Sequence, residues 1–145
     1  MIAIGSDHAG YEMKLAIIEH LKKRGEQFED FGCYSNESVD YPEYGKKVAH
    51  AVASGEYEKG ILICGTGIGI SIAANKIHGI RAALCNDVYS AIMSRQHNNA
   101  NVLAMGGRVT GFGPAGEIVR AWLTTDFEGG RHERRVNKIM ALEGK

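Results

Sequence analysis

Residues 61–76 read ILICGTGIGISIAANK, and this stretch decides the fold. Its pattern predicts three successive pieces: a buried strand that ends in Cys64, a glycine-rich loop at 65–69, and a helix that the loop opens. An apolar run without polar alternation is typical of a strand covered on both faces, as in a parallel sheet between helices. We therefore expect the chain to be built from strand–loop–helix units of this kind.

The rest of the chain repeats this alternation of short apolar runs and amphipathic runs. The apolar runs predict five strands, at residues 2–4, 27–31, 61–64, 82–85 and 102–105. Between and after them, amphipathic runs predict helices at residues 11–24, 44–53, 88–96, 114–123 and 131–142. Four of the five strands lack polar alternation, which favours an α/β domain with a doubly wound parallel sheet.

Composition limits the functional classes. The length of 145 residues predicts a single domain, residues 1–145. Seventeen Lys and Arg residues balance seventeen Asp and Glu residues, whereas a nucleic-acid-binding protein normally carries a basic excess, so no nucleic-acid partner is expected. The apolar runs are too short for a signal peptide or a membrane span. We expect a cytoplasmic protein, away from membranes, whose three widely spaced cysteines form neither a disulfide framework nor a structural zinc site.

The ligand of such a sheet binds beyond the carboxyl ends of the strands. Four predicted loops lie there, at residues 5–10, 65–69, 86–87 and 106–111. In the first loop, Asp7 and His8 are adjacent and can present an acceptor and a donor at the head of a helix. The alternative is that Ser6 or Asp7 only caps that helix.

The second of these loops is the strongest candidate site. Gly65, Gly67 and Gly69 let backbone N–H groups point into one concavity, which suits a phosphate or an oxyanion. Their GxGxG spacing does not match the GxGxxG dinucleotide motif, and the chain has no GxxxxGK[ST] phosphate loop. Cys64 is either a small buried core residue or a reactive thiol, since the neighbouring N–H groups favour the thiolate.

Polar and basic residues in the second half of the chain complete the candidate set. His97 and Asn98 lie at a helix end before the last strand, where their side chains could hold a polyhydroxylated ligand. Arg108 follows that strand, and Arg131 and Arg135 share one face at the start of the last helix, where a bound anion would offset their unfavourable position. Each could instead be an ordinary surface residue. Together with a thiol beside an oxyanion nest, the set favours isomerisation of a sugar phosphate through an enediolate, with no cofactor or metal.

Five segments together are similar to one known family. They are GSDHAG (5–10), DYPEYG (40–45), CGTGIGISIAANK (64–76), SRQHNNANVLA (94–104) and FEGGRHERRVNKI (127–139). In this order, and over residues 1–142, the chain resembles the type B ribose-5-phosphate isomerase family, which includes galactose-6-phosphate isomerase subunits. The resemblance implies a Rossmann-like, three-layer α/β/α sandwich with a five-stranded parallel sheet, and a homodimer. It also implies interconversion of D-ribose 5-phosphate and D-ribulose 5-phosphate in the non-oxidative pentose phosphate branch, without metal.

The resemblance further implies a role for each candidate residue. Cys64 corresponds to the proton acceptor, and His97 corresponds to the acid that opens the sugar ring. The expected substrate-binding residues are Asp7, His8, Gly65, Thr66, Gly67, Ile68, Gly69, Asn98, Arg108, Arg131 and Arg135, with the three arginines as phosphate ligands. Family members that lack the cysteine place a glutamate after the third glycine. Ile70 stands there in this chain, so the resemblance implies the cysteine mechanism.

Two other functions stay open at this point. An isomerase of a six-carbon sugar phosphate, such as allose 6-phosphate or galactose 6-phosphate, would differ in pocket depth. A non-catalytic phosphate-binding module would have no use for a thiol beside the nest. The C-terminal helix, at about 131–142, is expected to pack at a dimer interface, with active sites shared between two chains. The sequence does not determine which of His97, Arg108, Arg131 and Arg135 crosses over.

Overall fold

Five parallel strands form one sheet within residues 1–144, the part of the chain that the computed structural model describes. The strands are β1 (Ile2–Ser6), β2 (Phe28–Asp30), β3 (Lys59–Cys64), β4 (Ala82–Leu84) and β5 (Val102–Gly106). The helices are α1 (Tyr11–Lys23), α2 (Tyr41–Ala53), α3 (Ile68–Asn75), α4 (Val88–Gln96), α5 (Phe112–Thr124) and α6 (Arg131–Ala141). Across those 144 residues, no helix combines the length and the apolar character needed to cross a membrane.

The strands are arranged in the order β2-β1-β3-β5-β4. The chain moves outward from β1 to β2 and then returns to the other side of β1 with β3, so the direction of winding reverses between β1 and β3. In an open sheet such a reversal leaves a crevice beyond the carboxyl ends of the two strands. β5 inserts between β3 and β4, an order that the hydrophobic pattern does not reveal.

Two apolar cores lie on the two faces of the sheet. On one face, α1, α4 and α5 pack against side chains that include Ile4, Ile63 and Met105. On the other, α2 and α3 pack against the alternate residues of the same strands, such as Leu62 and Ala104. The central strands β1, β3 and β5 are therefore buried on both faces, and the predicted three-layer α/β/α sandwich is confirmed.

The element boundaries differ from the predicted ones at helix starts and at edge strands. α2 begins at Tyr41, earlier than predicted, because Pro42 fits the first helical turn, where its missing N–H costs no hydrogen bond. α5 likewise begins at Phe112, with Pro114 in its first turn. The edge strands β2 and β4 are only three residues long and are partly exposed, so they are shorter than the apolar runs that predicted them.

Helix α6 lies against the edge of the sheet where the strands begin. Near the end of this helix, Glu143 accepts the backbone N–H of Gly79, in the loop before β4, at 3.1 Å. Much of the helix stays uncovered, since Ile139 is 46% exposed and Leu142, just after the last turn, is 81% exposed. Helix α6 and the residue after it therefore present apolar side chains to the surface.

A buried lysine connects α1 to the loop after β2. Lys14 is completely buried, and its Nζ lies 2.6 Å from Oδ1 of Asp30 and donates to the carbonyl of Cys33. Asp30 also accepts the N–H of Gly32 at 2.9 Å. A charged amine is costly to bury unless it is paired and hydrogen-bonded, and both conditions are met here. Lys14 therefore fixes the start of the segment that leads to α2.

Replacing this amine tests its contribution to stability. We expect Lys14→Met to lower the free energy of unfolding by about 3 kcal/mol, because the partly buried Asp30 carboxylate and the Cys33 carbonyl lose their partner. The matched control is Lys22→Met on the same helix, where the Lys22–Glu19 pair is exposed and its loss costs about 0.5 kcal/mol or less. Chemical denaturation of both variants measures the difference, and equal unfolding midpoints would contradict this role of Lys14.

Candidate active site

The Cys64 thiol lies at the carboxyl end of β3, under the glycine loop. Its side chain is buried, with 4% of the residue exposed, and Sγ accepts the N–H of Gly67 at 3.2 Å. Gly67 has a φ of 81°, a left-handed conformation that turns this N–H toward the sulfur. The structure therefore places the thiol beside the glycine loop, where sequence analysis expects it.

The loop continues directly into α3. Oγ1 of Thr66 accepts the N–H of Ile68 at 3.1 Å, and the same hydroxyl still has its own proton to donate. The first N–H groups of a helix have no intrahelical partner, so those of Gly69 and Ile70 are left at the helix start for another acceptor. An anionic oxygen placed there meets several backbone donors at once.

Three loops at this edge touch through their backbones. A Cβ at Gly10 would lie 2.5 Å from the carbonyl oxygen of Ile63, and a Cβ at Gly106 would lie 2.6 Å from that of Thr66. Hydrogen bonds reinforce the contact, since Gly107 donates its N–H to the Cys64 carbonyl at 2.8 Å. The segments after β1, β3 and β5 are therefore held together as one surface around the thiol.

The first loop brings Asp7 and His8 to the same surface. Asp7 is buried and its Oδ1 accepts the N–H of Gly10 at 3.0 Å, so it caps the short turn that precedes α1. This is the capping role that sequence analysis left as an alternative. Nδ1 of His8 accepts the N–H of Val39 at 3.1 Å. The proton of a neutral His8 ring is thereby placed on Nε2, which becomes a hydrogen-bond donor.

Arg108 and Tyr41 enclose the glycine loop from two sides. The Arg108 side chain comes within 3.7 Å of the point that a Cβ of Gly65 would occupy, and the backbone N–H of Arg108 donates to the Gly65 carbonyl at 3.0 Å. The ring of Tyr41 lies on Gly69, where a Cβ would approach it to 2.5 Å. Sequence analysis assigned no role to Tyr41, although the segment DYPEYG contains it. A third glycine in the loop was the available signal that something packs closely there.

The other candidate residues lie at the opposite edge of the sheet. His97 and Asn98 follow α4, next to the start of β5. Helix α6 begins beside them, and Arg131 and Arg135 lie in its first two turns. In the pairing of β3 with β5, Val102 is opposite Gly60 and Gly106 is opposite Cys64. Four residues of strand span ~13 Å, so the two groups cannot meet within one chain.

At that opposite edge, two histidine rings are stacked. The rings of His97 and His132 lie 4.1 Å apart with an angle of 8° between their planes, and Nε2 of His132 lies 3.3 Å from Oε1 of Glu128. Burial, together with the neighbouring His97 and Arg131, lowers the pKa of His132 from its usual value. Sequence analysis gave His132 and Glu128 no role. The interpretation of this segment rested on the arginines near His132, and Glu128 precedes two glycines without matching a motif.

The other two cysteines are core residues. Cys85 and Cys33 are buried, and burial raises the pKa of the Cys85 thiol to about 11. A thiol of that pKa is protonated at neutral pH and cannot act as a base there. The interpretation of Cys85 as a core residue is therefore confirmed, and Cys64 is set apart by its position at the glycine loop.

The arrangement of a thiol, a glycine nest and basic side chains agrees with one family of proteins. A model of the family described as Ribose/Galactose Isomerase matches residues 2–139. The chain belongs to the ribose/galactose isomerase family. The resemblance drawn from the five sequence segments is thereby confirmed, and it covers the sheet, both edges of it and most of α6.

Individual members of the ribose/galactose isomerase family match along the whole chain. Ribose-5-phosphate isomerase B of Escherichia coli (strain K12) is 56% identical over 142 residues, which cover 98% of this chain and 95% of the relative. The structure of Clostridium thermocellum ribose-5-phosphate isomerase B has a TM-score of 0.97 at 59% identity and covers 99% of this chain and 97% of that one. The structure of Mycoplasma genitalium ribose-5-phosphate isomerase B with bound ribulose-5-phosphate has a TM-score of 0.95 at 42% identity. The match covers 99% of this chain and 96% of that one.

Proposed function

We propose that this sugar isomerase interconverts D-ribose 5-phosphate and D-ribulose 5-phosphate through an enediolate, as a step of the non-oxidative pentose phosphate branch. The observation that carries the proposal is the Cys64 sulfur, which accepts the Gly67 N–H at the mouth of a nest of backbone donors. Such a pair of groups matches a reaction that removes a proton next to a carbonyl and stabilises the resulting anion. The relatives named above carry the same activity in their names.

The proton transfer uses Cys64 twice. The thiolate removes the proton from C2 of the open-chain aldose, the C2–H electron pair forms the C1–C2 double bond, and the carbonyl oxygen on C1 becomes anionic. Backbone N–H groups at Gly65–Gly69 stabilise this enediolate, and the Thr66 hydroxyl adds one more donor. The thiol then returns the proton to C1, the hydroxyl proton of O2 passes to the anionic O1, and O2 becomes the ketose carbonyl. Atoms and charge balance without an external oxidant.

The remaining roles belong to groups at both edges of the sheet. Asp7 and His8 lie beside the thiol and hold the sugar hydroxyls and the phosphate. Three arginines bind the phosphate, because each guanidinium is planar and carries several donors. They are Arg108, which follows β5 and lies against the glycine loop, and Arg131 and Arg135 on α6. His97 donates the proton that opens the furanose ring, and Asn98 next to it contacts the substrate.

These roles require two chains, so the proposal includes a homodimer with shared active sites. Cys64 and Arg108 lie at the carboxyl edge of the sheet, whereas His97 and α6 lie at the amino edge. An apolar groove of about 440 Å³ runs between α6 and β4, beside Asn98, and Ile139 contributes an exposed side of it. A second chain that covers this groove brings its own carboxyl edge to His97. The pairing closes a two-fold dimer with two equivalent sites.

The base assignment predicts a large loss of turnover without loss of the fold. Cys64→Ala should lower kcat for ribose 5-phosphate by about 10²–10⁴-fold, because only the proton acceptor is removed. The matched control is Cys33→Ala, which replaces another buried thiol and should leave kcat close to that of the wild type. Steady-state turnover and circular dichroism measure both. Near-wild-type kcat in Cys64→Ala would contradict the assignment. Turnover of a panel of five- and six-carbon aldose phosphates by the wild type determines which sugar the enzyme prefers.

The ring-opening role predicts a difference between substrates. D-Ribulose 5-phosphate cannot close a furanose ring, because its O5 carries the phosphate, whereas ribose 5-phosphate is mostly cyclic. His97→Asn should therefore slow turnover of ribose 5-phosphate by about 10²-fold and slow that of ribulose 5-phosphate much less. Initial rates at saturating substrate in the two directions give the two kcat values, whose ratio, unlike that of kcat/KM, is not fixed by the equilibrium constant. Equal losses would assign His97 to another step.

Sharing of sites between chains predicts a specific pattern of complementation. When Cys64→Ala and His97→Ala chains exchange partners, one site of each heterodimer has both wild-type groups, and the mixture should regain about a quarter of wild-type turnover. The matched control mixes Cys64→Ala with Arg108→Ala. Both changes fall on the same edge of the sheet, so no site is repaired. A fully active protein that sedimentation shows to be monomeric at micromolar concentration would refute the dimer.

A further inference from the structure

The stacked pair of His97 and His132 is not explained by the roles assigned so far. His132 is almost completely buried, and its ring lies flat on that of His97 at 4.1 Å. Nε2 of the same ring approaches the Glu128 carboxylate to 3.3 Å. A histidine in contact with both a carboxylate and a candidate acid is in a position to influence that acid.

These three side chains do not suit a chelated metal ion. Their ligand atoms lie within 4.8 Å of one another, which meets the distance requirement for a cation site. However, the rings of His97 and His132 are nearly parallel, with 8° between their planes. A metal ion binds imidazole nitrogen in the plane of the ring, and the in-plane lone pairs of two parallel stacked rings run side by side instead of converging. The stack fits a packing role better.

Backbone hydrogen bonds hold the pair from three segments. The N–H of His97 donates to Met93 at 2.9 Å, at the end of α4, and that of His132 donates to Gly129 at 3.0 Å, at the start of α6. Between the two helices, the N–H of Glu128 donates to the carbonyl of Gln96 at 3.1 Å. The stack is therefore tied to α4, to α6 and to the segment that connects α5 with α6, and its rings are fixed relative to each other.

The charges around the stack disfavour a proton on both rings at once. Two imidazolium rings at 4.1 Å would repel each other. His97, Arg131 and Arg135 face His132 as cations or potential cations, and Glu128 is the opposing anion. Burial is the largest of the influences that lower the pKa of His132, so the buried ring stays neutral. A protonated His97 then lies over the face of a neutral aromatic ring, which attracts it.

We propose that His132 is a positioning residue for ring opening: a neutral aromatic platform, held by Glu128, that fixes the ring plane of His97 and supports its protonated form. The proposal rests on the proposed function, in which His97 gives its proton to the ring oxygen of the sugar. In this step the N–H bond of His97 breaks, an O–H bond forms on the sugar, and His132 exchanges no proton.

The first test compares a cyclic with an open-chain substrate. His132→Ala should lower the ratio of kcat for ribose 5-phosphate to kcat for ribulose 5-phosphate, both at saturation, by about 10-fold or more, because a misplaced acid loses its alignment with the ring oxygen. His132→Phe supplies a flat ring without a titrating group and should restore most of the ratio. A merely structural role would lower both rates together. An unchanged ratio in folded His132→Ala, or a ratio in His132→Phe as low as in His132→Ala, would overturn the proposal.

A milder variant covers the case in which His132→Ala does not fold. Glu128→Gln keeps the size of the side chain and weakens its hold on His132, and it should lower the same ratio by about 3-fold. The matched control is Glu133→Gln, an exposed acidic residue in the first turn of α6, which should leave the ratio unchanged. An equal ratio in Glu128→Gln and Glu133→Gln would overturn the role of Glu128 in the platform.

A second measurement needs no turnover, so it separates this proposal from the proposed function. Stacked rings shift each other's proton resonances, and the ring protons of His97 should move downfield in His132→Ala but stay near their wild-type positions in His132→Phe, as recorded by NMR. If the wild type fails to isomerise ribose 5-phosphate, the proposed function fails, while the NMR result still decides whether the platform exists. Unshifted His97 resonances in folded His132→Ala would overturn the stack itself.

Discussion

The candidate site depends on direct contact between backbones at the carboxyl edge of the sheet. Side chains at Gly10 and Gly106 would collide with carbonyl oxygens of β3 and of the loop after it. Because the segments after β1, β3 and β5 lie this close, Cys64, Asp7 and Arg108 are confined to one small surface. Groups that act on a single substrate must keep such distances within about 1 Å to remain effective.

Chain direction explains why the candidate residues separate into two groups. All strands run the same way, and each helix returns in the opposite direction, so a residue that follows a strand and a residue that follows a helix lie at opposite edges. Cys64 is of the first kind and His97 of the second. The same geometry accounts for the uncovered apolar side chains of α6, which belong to the edge that lacks a thiol. In the proposed dimer, one contact between chains brings the two groups of residues together and covers the apolar side chains of α6.

Local sequence patterns predicted most of the fold, whereas the features that depend on contacts between distant segments could not be predicted. Residues 61–76 gave the strand, the loop and the helix correctly, because burial on both faces and glycine spacing are properties of neighbouring residues. The order of β4 and β5 depends on packing between distant segments. Lys14 has the sequence context of a helix surface and is nevertheless buried, since its partner Asp30 belongs to β2. His132 was overlooked for the same reason: its role depends on a ring contact with the end of α4.

The burial of all three sulfur atoms has a consequence for the behaviour of the protein under oxidative stress. The oxidation of a cysteine by peroxides depends on access to the sulfur as well as on its charge. The exposed fraction of Cys64 is only 4%, and Cys33 and Cys85 are buried as well. Reagents are therefore selected by size: hydrogen peroxide reaches a sulfur that a bulky disulfide such as oxidised glutathione does not.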